Sequence, residues 1–345
     1  MTDITARSQT GSVTLHDVAR EAGVSLATAS RALNGSTRKV ADSYRERVEA
    51  AAERLGYTAN LSAQATARGT SAIIALLVAD IADPYFGELA SGVARGADEA
   101  GLVVTIAITD RDSEREVRLV RALRGQRPHG VILAASRPSP EIAPELVKEL
   151  ELITGFGGRV VALGVESPGV RSVWIDNRGG ARALGEALGE RGYRRAIVLA
   201  AAEGVVTSDA RLAGFIEGFV SAGGDQPRVC RDAFTRDSGT EAMRRALADG
   251  IEPGTLIFGI NDVVAIGALA AVREAGREIG TDIALCGFDD IPTGRDVTPA
   301  LTTVHVPLEQ VGYEAFRAAT DPDWAQDASA LRLEVRLRAS TPGLS

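Results

Sequence analysis

Apolar and polar positions along the chain fall into two textures that meet near residue 70. Between Thr14 and Tyr57 apolar residues recur at helical spacing in three short stretches, which predicts three small helices. Residues 1–12 are polar and are expected to be a disordered tail, as free termini usually are. Thr58–Thr70, reading TANLSAQATARGT, is small and polar, a linker whose alanines allow it to become helical. From Ser71 onward, apolar runs of strand length alternate with amphipathic helical stretches. The runs are Ala72–Ala79, Leu102–Ile108, Gly130–Ala135, Arg159–Val165, Val173–Asp176, Arg195–Ala201, Thr255–Ile260 and Ile283–Phe288. Phe86–Ala100, Glu114–Gly125, Gly179–Arg191, Ala210–Ala222 and Asp262–Ala275 are among the helical stretches between them. Strand and helix alternating this often predict parallel sheets covered by helices on both faces. There are too many strands for one small sheet, so two successive α/β subdomains are expected. Ligands of such folds bind in a crevice beyond the carboxyl ends of the strands.

Composition changes this picture little. A chain of 345 residues with 45% apolar and 24% charged residues can bury large cores without disulfides or metal. Cys230 and Cys286 lie in strand-like runs, and the sequence has no CxxC or Cys/His cluster, so neither zinc nor any other metal or cofactor is expected. The N-terminus lacks the apolar stretch of a signal peptide, and nowhere do about 18 apolar residues run together. A cytoplasmic protein with no membrane partner is therefore expected. Net charge is −8, but it is unevenly distributed: residues 1–70 carry nine Arg/Lys against seven Asp/Glu, the remainder 29 against 39. A mildly basic head on an acidic body suits a DNA reader whose body stays off the phosphates.

The segment Val13–Gly35, VTLHDVAREAGVSLATASRALNG, sharpens that reading. Thr14 can cap a first helix with Asp17 as its reciprocal acid. Val18, Ala19 and Ala22 form an apolar face, Gly23 permits a tight turn, Val24 fills the angle between helices, and Ser25 caps a second helix. Ala29, Ala32 and Leu33 supply the buried side of that second helix. Small residues at Ala19 and Ala29 let two short helices cross closely, which is the grammar of a helix-turn-helix. An ordinary helical hairpin is the alternative. Ala41–Leu55, with Val48, Ala51, Ala52 and Leu55 as its core stripe, completes a three-helix head.

This head, followed by VEAAAERLGYTAN, resembles the lactose/galactose-repressor (LacI/GalR) family. Further pieces fall in the family's order: DPYF at Asp83–Phe86, DN at Asp176–Asn177, ARLAGF at Ala210–Phe215, ND at Asn261–Asp262, GFDD at Gly287–Asp290 and LTTV at Leu301–Val304. The resemblance implies a headpiece at 13–59, a hinge helix or linker at 60–70 and a periplasmic-binding-protein-like core at 71–345. The core would divide into an N-subdomain of about 71–172 plus 304–331 and a C-subdomain of about 173–303 plus 332–340. It also implies that Leu26, Ala27 and Arg31 face bases. The Arg31 fork can take guanine O6 and N7, whereas Leu26 and Ala27 can read only shape or a thymine methyl. Thr28, Ser30 and Asn34 are placed as phosphate contacts, which position without specifying. Thr14 and Ser25 join this DNA-facing set, as do Asn60, Gln64, Thr66 and Ala67 of the hinge. The family's hinge wedges a leucine into the minor groove. Thr66 stands at the matching position and carries less apolar surface, so bending is expected to be weaker or to pass to Gln64, Ala65 and Ala67. One extra residue in Gly35–Lys39 and Ala41 in place of a serine cap are departures from the family. Asp42 or Ser43 is then expected to cap the third helix.

For the core, the resemblance places Arg211, Asn261 and Asp289 in a ligand cleft. Their chemistry suits a polyol: the carboxylate accepts from hydroxyls, the guanidinium donates to oxygens, and the amide does both. Tyr85, Phe86, Phe234 and Trp174 could supply the flat apolar wall that a sugar's C–H face needs. Asp289 could instead cap a turn, and Phe86 could be plain core. Val306 and Gly164 stand where many relatives carry polar or charged residues, which blurs the choice of ligand, and a planar purine or nucleoside remains an alternative to a sugar. An enzyme is not expected: Gly155–Gly158 lacks a dinucleotide or P-loop fingerprint, and His16, His129 and His305 are scattered without a nucleophile. A secreted solute-binding protein, the other rival, does not fit the attached head. With no leucine-heptad tail after STPGLS, a homodimer on a palindromic operator is expected. The sequence thus predicts a transcription regulator, a repressor by family resemblance, controlled by a small-molecule effector.

Overall fold

The computed structural model describes residues 13–34, 40–58, 69–136, 142–164, 167, 169–325 and 331–344. The chain divides into two compact units, Met1–Arg68 and Gly69–Ser345.

In the first unit, helix α1 (Leu15–Ala22) begins at a reciprocal cap. The Thr14 hydroxyl accepts from the Asp17 amide at 3.4 Å, and the Asp17 carboxylate accepts from the Thr14 amide at 3.0 Å. Gly23 ends the helix at φ +63°, a left-handed conformation that favours glycine. The Ser25 hydroxyl accepts from the Thr28 amide at 3.1 Å and opens helix α2 (Leu26–Asn34). Helix α3 (Asp42–Leu55) closes the bundle, and Gly56 ends it at φ +61°. Val18, Ala19, Ala22, Ala29, Val48, Ala51 and Ala52 are its buried core, with Val24, Ala32, Leu33 and Leu55 packed against it. The expected side-chain cap of α3 does not form. Neither Asp42 nor Ser43 caps α3; Ala41 occupies the cap with no side-chain hydrogen bond, and Asp42 lies in the first turn, where its charge meets the positive end of the helix dipole. The start of α1 is therefore better secured than the start of α3. Thr14→Ala should lower headpiece stability by about 1 kcal/mol in chemical denaturation, with Thr14→Ser close to wild type.

The second unit holds two parallel sheets. The first has the order β2-β1-β3-β4-β5, built from β1 (Ile73–Val78), β2 (Val103–Ile108), β3 (Gly130–Leu133), β4 (Arg159–Leu163) and β5 (Arg171–Val173). Helices α4 (Pro84–Glu99), α5 (Ser113–Arg124) and α6 (Pro144–Gly155) connect its strands. After α7 (Asn177–Glu190) the second sheet follows in the order β7-β6-β8-β9: β6 (Ala196–Ala201), β7 (Arg228–Asp232), β8 (Thr255–Gly259) and β9 (Ile283–Cys286). Its connecting helices are α8 (Val206–Ser221), α9 (Arg236–Ala248) and α10 (Asp262–Glu274). A short helix α11 (Thr293–Asp296) leads to β10 (Thr303–His305), which runs antiparallel to β11 (Glu334–Arg336) with Val304 opposite Val335. Between these two strands, α12 (Leu308–Thr320) returns to the first sheet and packs on α4. The chain then re-enters the second sheet's layer, where Ser340 bonds Leu285 and Thr302.

Apolar strands buried on both faces explain the continuous runs seen in the sequence: β3, β6, β8 and β9 are buried throughout. The runs do not include β7, β10 or β11. β7 is an edge strand whose Arg228, Arg231 and Asp232 dilute the apolar signal. β10 and β11 are three residues each. Glycines let the helices approach closely. A Cβ at Gly218 of α8 would lie 2.0 Å from the Arg182 carbonyl oxygen of α7, and one at Gly312 of α12 2.0 Å from the Leu89 carbonyl of α4. Among the described residues, no helix is long and apolar enough to cross a membrane.

Candidate effector cleft and DNA-reading helices

The core's candidate side chains follow strand ends in both sheets. Asp80, Asp83 and Tyr85 come after β1, Ser136 after β3, and Trp174 and Asn177 after β5. In the second sheet Arg211 lies on the helix after β6, Phe234 follows β7, Asn261 follows β8 and Asp289 follows β9. This is the carboxyl-end crevice that the alternation of strands and helices predicts.

At its base Arg211 and Asp289 form a buried ion pair, Nη2 to Oδ1 at 2.7 Å, with side chains only 2% and 4% exposed. The Arg211 Nε donates to Asn177 Oδ1 at 2.8 Å, and its Nη1 donates to the Ile260 carbonyl at 3.1 Å. The guanidinium carbon lies 4.0 Å from the centre of the Phe288 ring. Asn261 is also committed to the protein: its side chain caps α10, accepting from the Val264 amide at 2.8 Å. Arg211, Asn261 and Asp289 are thus buried and line neither of the two cavities that open beside them. One cavity, about 410 Å³, is bounded by Tyr85, Ser136, Gly164, Trp174, Asn177 and Thr207, among others. The other, about 540 Å³, is bounded by Asp80, Asp83, Phe234, Arg236 and Ile291, among others. Phe86 lines neither; it is 4% exposed and packs edge-on against Tyr85 at a centroid distance of 5.0 Å. Two contacts bridge the two sheets' layers. Ser136 Oγ and Thr207 Oγ1 lie 3.1 Å apart, and the Arg111 guanidinium sits 5.7 Å from the Phe234 ring centre.

Asn177, Ser136, Thr207 and Arg111 were not singled out as ligand residues by the sequence. The Asp176–Asn177 pair was visible as a motif, but that its amide would bond Arg211 depends on how two distant segments meet. His305 lines neither of these two cavities and pairs with Asp290, Nδ1 to Oδ2 at 3.1 Å. Among the described residues no group of His, Cys, Asp or Glu could hold a metal.

Burial pushes the Asp289 carboxyl up to about 7, although Arg211 pulls it down. Burial and the neighbouring Asp289 push Asp262 well above the ordinary range, against hydrogen bonds from Thr303 and the Ile291 amide. Asp262 therefore holds a proton in the folded state that the unfolded chain releases near pH 4. Its contribution to stability is therefore fully present below about pH 4 and is lost as pH rises toward its raised folded value. Asp262→Asn should flatten the fall in the core's melting midpoint between pH 5 and pH 8, which calorimetry across that range checks.

In the headpiece, Leu26, Ala27 and Arg31 are exposed on α2, with Ala29 buried on the opposite side. Thr28 Oγ1 lies 2.8 Å from Ser25 Oγ, and both hydroxyls stay close to the start of the helix. Ser30 is half-buried. Asn34 ends α2. Asn60, Gln64, Thr66 and Ala67 lie outside the described residues.

Residues 14–60 match the model of bacterial regulatory proteins of the lacI family, and residues 186–341 match a periplasmic binding protein-like domain. Over 327 residues the chain is 33% identical to the HTH-type transcriptional regulator CelR of Thermobifida fusca, covering 93% of this chain and 94% of the relative. The chain belongs to the LacI family. The HTH-type transcriptional repressor CytR of Escherichia coli K12 is another relative of this LacI-family chain, 31% identical over 98% of it and 99% of CytR. The solved Lac repressor dimer bound to operator and an anti-inducer superposes with a TM-score of 0.80 at 25% identity, covering 96% of this chain and 100% of that one. This LacI-family protein is therefore a DNA-binding transcription regulator with a helix-turn-helix head and an α/β core of periplasmic-binding-protein type. These relatives are regulators, not enzymes.

Proposed function

We propose that this regulator acts in the cytoplasm as a homodimeric repressor on a palindromic operator and that an uncharged sugar in the core cleft sets its operator affinity. The observation that carries the reading is the cavity of about 410 Å³ between the two sheets. Trp174 and Tyr85 offer it apolar faces, Asn177, Ser136 and Thr207 offer hydroxyl partners, and the Arg211–Asp289 pair anchors Asn177. A few placed polar groups in a mostly apolar pocket are what a sugar requires. A solved structure of the regulator CelR in complex with cellobiose shares the fold at a TM-score of 0.64 and 29% identity, covering 95% of this chain and 99% of that one. The dimer has support in the edge strand β2, which exposes Val103 at 63% and Ile106 at 41%. On the DNA side, Leu26, Ala27 and Arg31 would face bases, with Thr14, Ser25, Thr28, Ser30 and Asn34 toward the backbone and Asn60, Gln64, Thr66 and Ala67 in the hinge.

A thermal-shift panel of neutral sugars and nucleosides on the purified protein tests the effector reading. The true effector at a hundred times its Kd should stabilise the native state by about 2.7 kcal/mol, several degrees in midpoint. A shift with nucleosides alone would assign the aromatic wall of the cavity to a base instead of a sugar.

A further inference from the structure

Asp289 and Asp290 are adjacent, and both have left-handed backbone, at φ of +114° and +60°. A residue with a Cβ is strained there, and a turn that needed only this shape would be better served by glycine. Both residues are buried, and strained residues held firmly by their surroundings gather at switch regions. The two carboxylates reach in different directions. Asp289 pairs with Arg211 and, through it, with Asn177 beside the effector cavity. Asp290 holds the segments that cross between the two sheets.

Asp290 Oδ1 accepts from Arg338 Nη2 at 2.5 Å, and its Oδ2 lies 3.1 Å from His305 Nδ1. His305 ends β10, from which the chain passes through α12 to the first sheet. Arg338 follows β11, by which the chain returns to the second sheet's layer. Arg338 is tied further: its Nη1 donates to the Leu301 carbonyl and its amide to Thr302 Oγ1, each at 2.8 Å. On the main chain, the Asp289 amide donates to the Val304 carbonyl at 2.9 Å, and the Asp289 carbonyl accepts from the Val306 amide at 3.3 Å. The outgoing and returning segments therefore meet on one carboxylate, and its neighbour in sequence anchors the cleft.

We propose that Asp290 is a positioning residue for the effector response: by holding His305 and Arg338 together it fixes Asp289 toward Arg211, so that a change in the cleft passes to the two segments joining the sheets. The inference rests on the effector reading above, but one arm of its test needs no effector. In that arm, amide hydrogen exchange of the full chain is compared between wild type and Asp290→Gly. Glycine keeps the turn and relieves its strain, so the variant should fold. The amides of Asn177, Gly179 and Gly180, which bond the Ile175 carbonyl and Asp176, belong to the cleft and not to the crossing segments. They should exchange about tenfold faster in the variant. Exchange there at the wild-type rate would overturn the inference. The second arm is operator titration of the full chain with and without saturating cellobiose, galactose, glucose, ribose or cytidine. For the member that binds, the ratio of operator Kd values, about 5–150 in wild type, should fall to about twofold or less in Asp290→Gly and in Arg338→Met. Arg336→Ala, which breaks the exposed pair with Glu334 on the same segment, should keep the wild-type ratio. A role in stability alone would lower the melting midpoint and leave the ratio unchanged. A wild-type ratio in Asp290→Gly, or an equal loss in Arg336→Ala, would overturn the inference. If none of these ligands changes operator affinity in wild type, the effector reading fails, and the exchange arm by itself decides the role of Asp290.

Discussion

Asp289→Ala should destabilise the core by about 3–5 kcal/mol and abolish the response to effector. Removing one partner of a buried ion pair leaves the other charge without compensation. Here Arg211, 2% exposed, would keep the uncharged Asn177 and the Ile260 carbonyl as hydrogen-bond partners and the Phe288 ring beside it, but no counter-charge. The pair also carries information between segments. Asp289 donates its amide to the Val304 carbonyl at 2.9 Å, next to the crossing strands, while Arg211 bonds Asn177 at the edge of the cavity of about 410 Å³. Loss of the carboxylate therefore affects both fold and cleft. Urea denaturation separates the two effects when Asp289→Leu is combined with Arg211→Met. An apolar replacement of both partners is often neutral for stability, so the double variant should recover most of the loss and still ignore effector. A single variant as stable as wild type would contradict the buried pair.

Arg31→Ala should weaken operator binding about five- to more than a hundredfold while changing affinity for random DNA far less. A bidentate contact to guanine is worth about 1–3 kcal/mol of discrimination, and each 1.4 kcal/mol is about tenfold. Arg31 is exposed in the last turn of α2, on the opposite side from the buried Ala29. Arg31→Lys should not restore specificity, because an ammonium cannot reproduce the planar fork. Equal losses on operator and random DNA, measured by fluorescence anisotropy at one salt concentration, would reduce Arg31 to a phosphate contact.

Much of this architecture was legible because local chemistry dictates it. The Thr14–Asp17 cap, the Gly23 turn and the Ser25 cap each depend on residues within a few positions, and all three form as the sequence predicts. Strands buried on both faces gave continuous apolar runs. Edge strand β7 did not, because solvent tolerates its charges. The cleft was only partly legible. Arg211, Asn261 and Asp289 were recognisable by resemblance, but the sequence could not show that they bond to one another or to their own helix before any ligand arrives. Asn177, Ser136 and Thr207 reach the cavity only through tertiary placement, and Arg111 reaches Phe234 only through two left-handed residues. Cap preference failed at Ala41, where α3 forms without a side-chain cap because Val48, Ala51 and Ala52 bury one face of it.

Operator titration of the full-length protein, with and without the sugar that raises its melting midpoint, tests the central account most directly. Coupling between effector and DNA sites should change operator affinity by about 5–150-fold, and the change should vanish when Asp289→Leu is combined with Arg211→Met. Operator affinity that stays the same at saturating sugar would contradict the account.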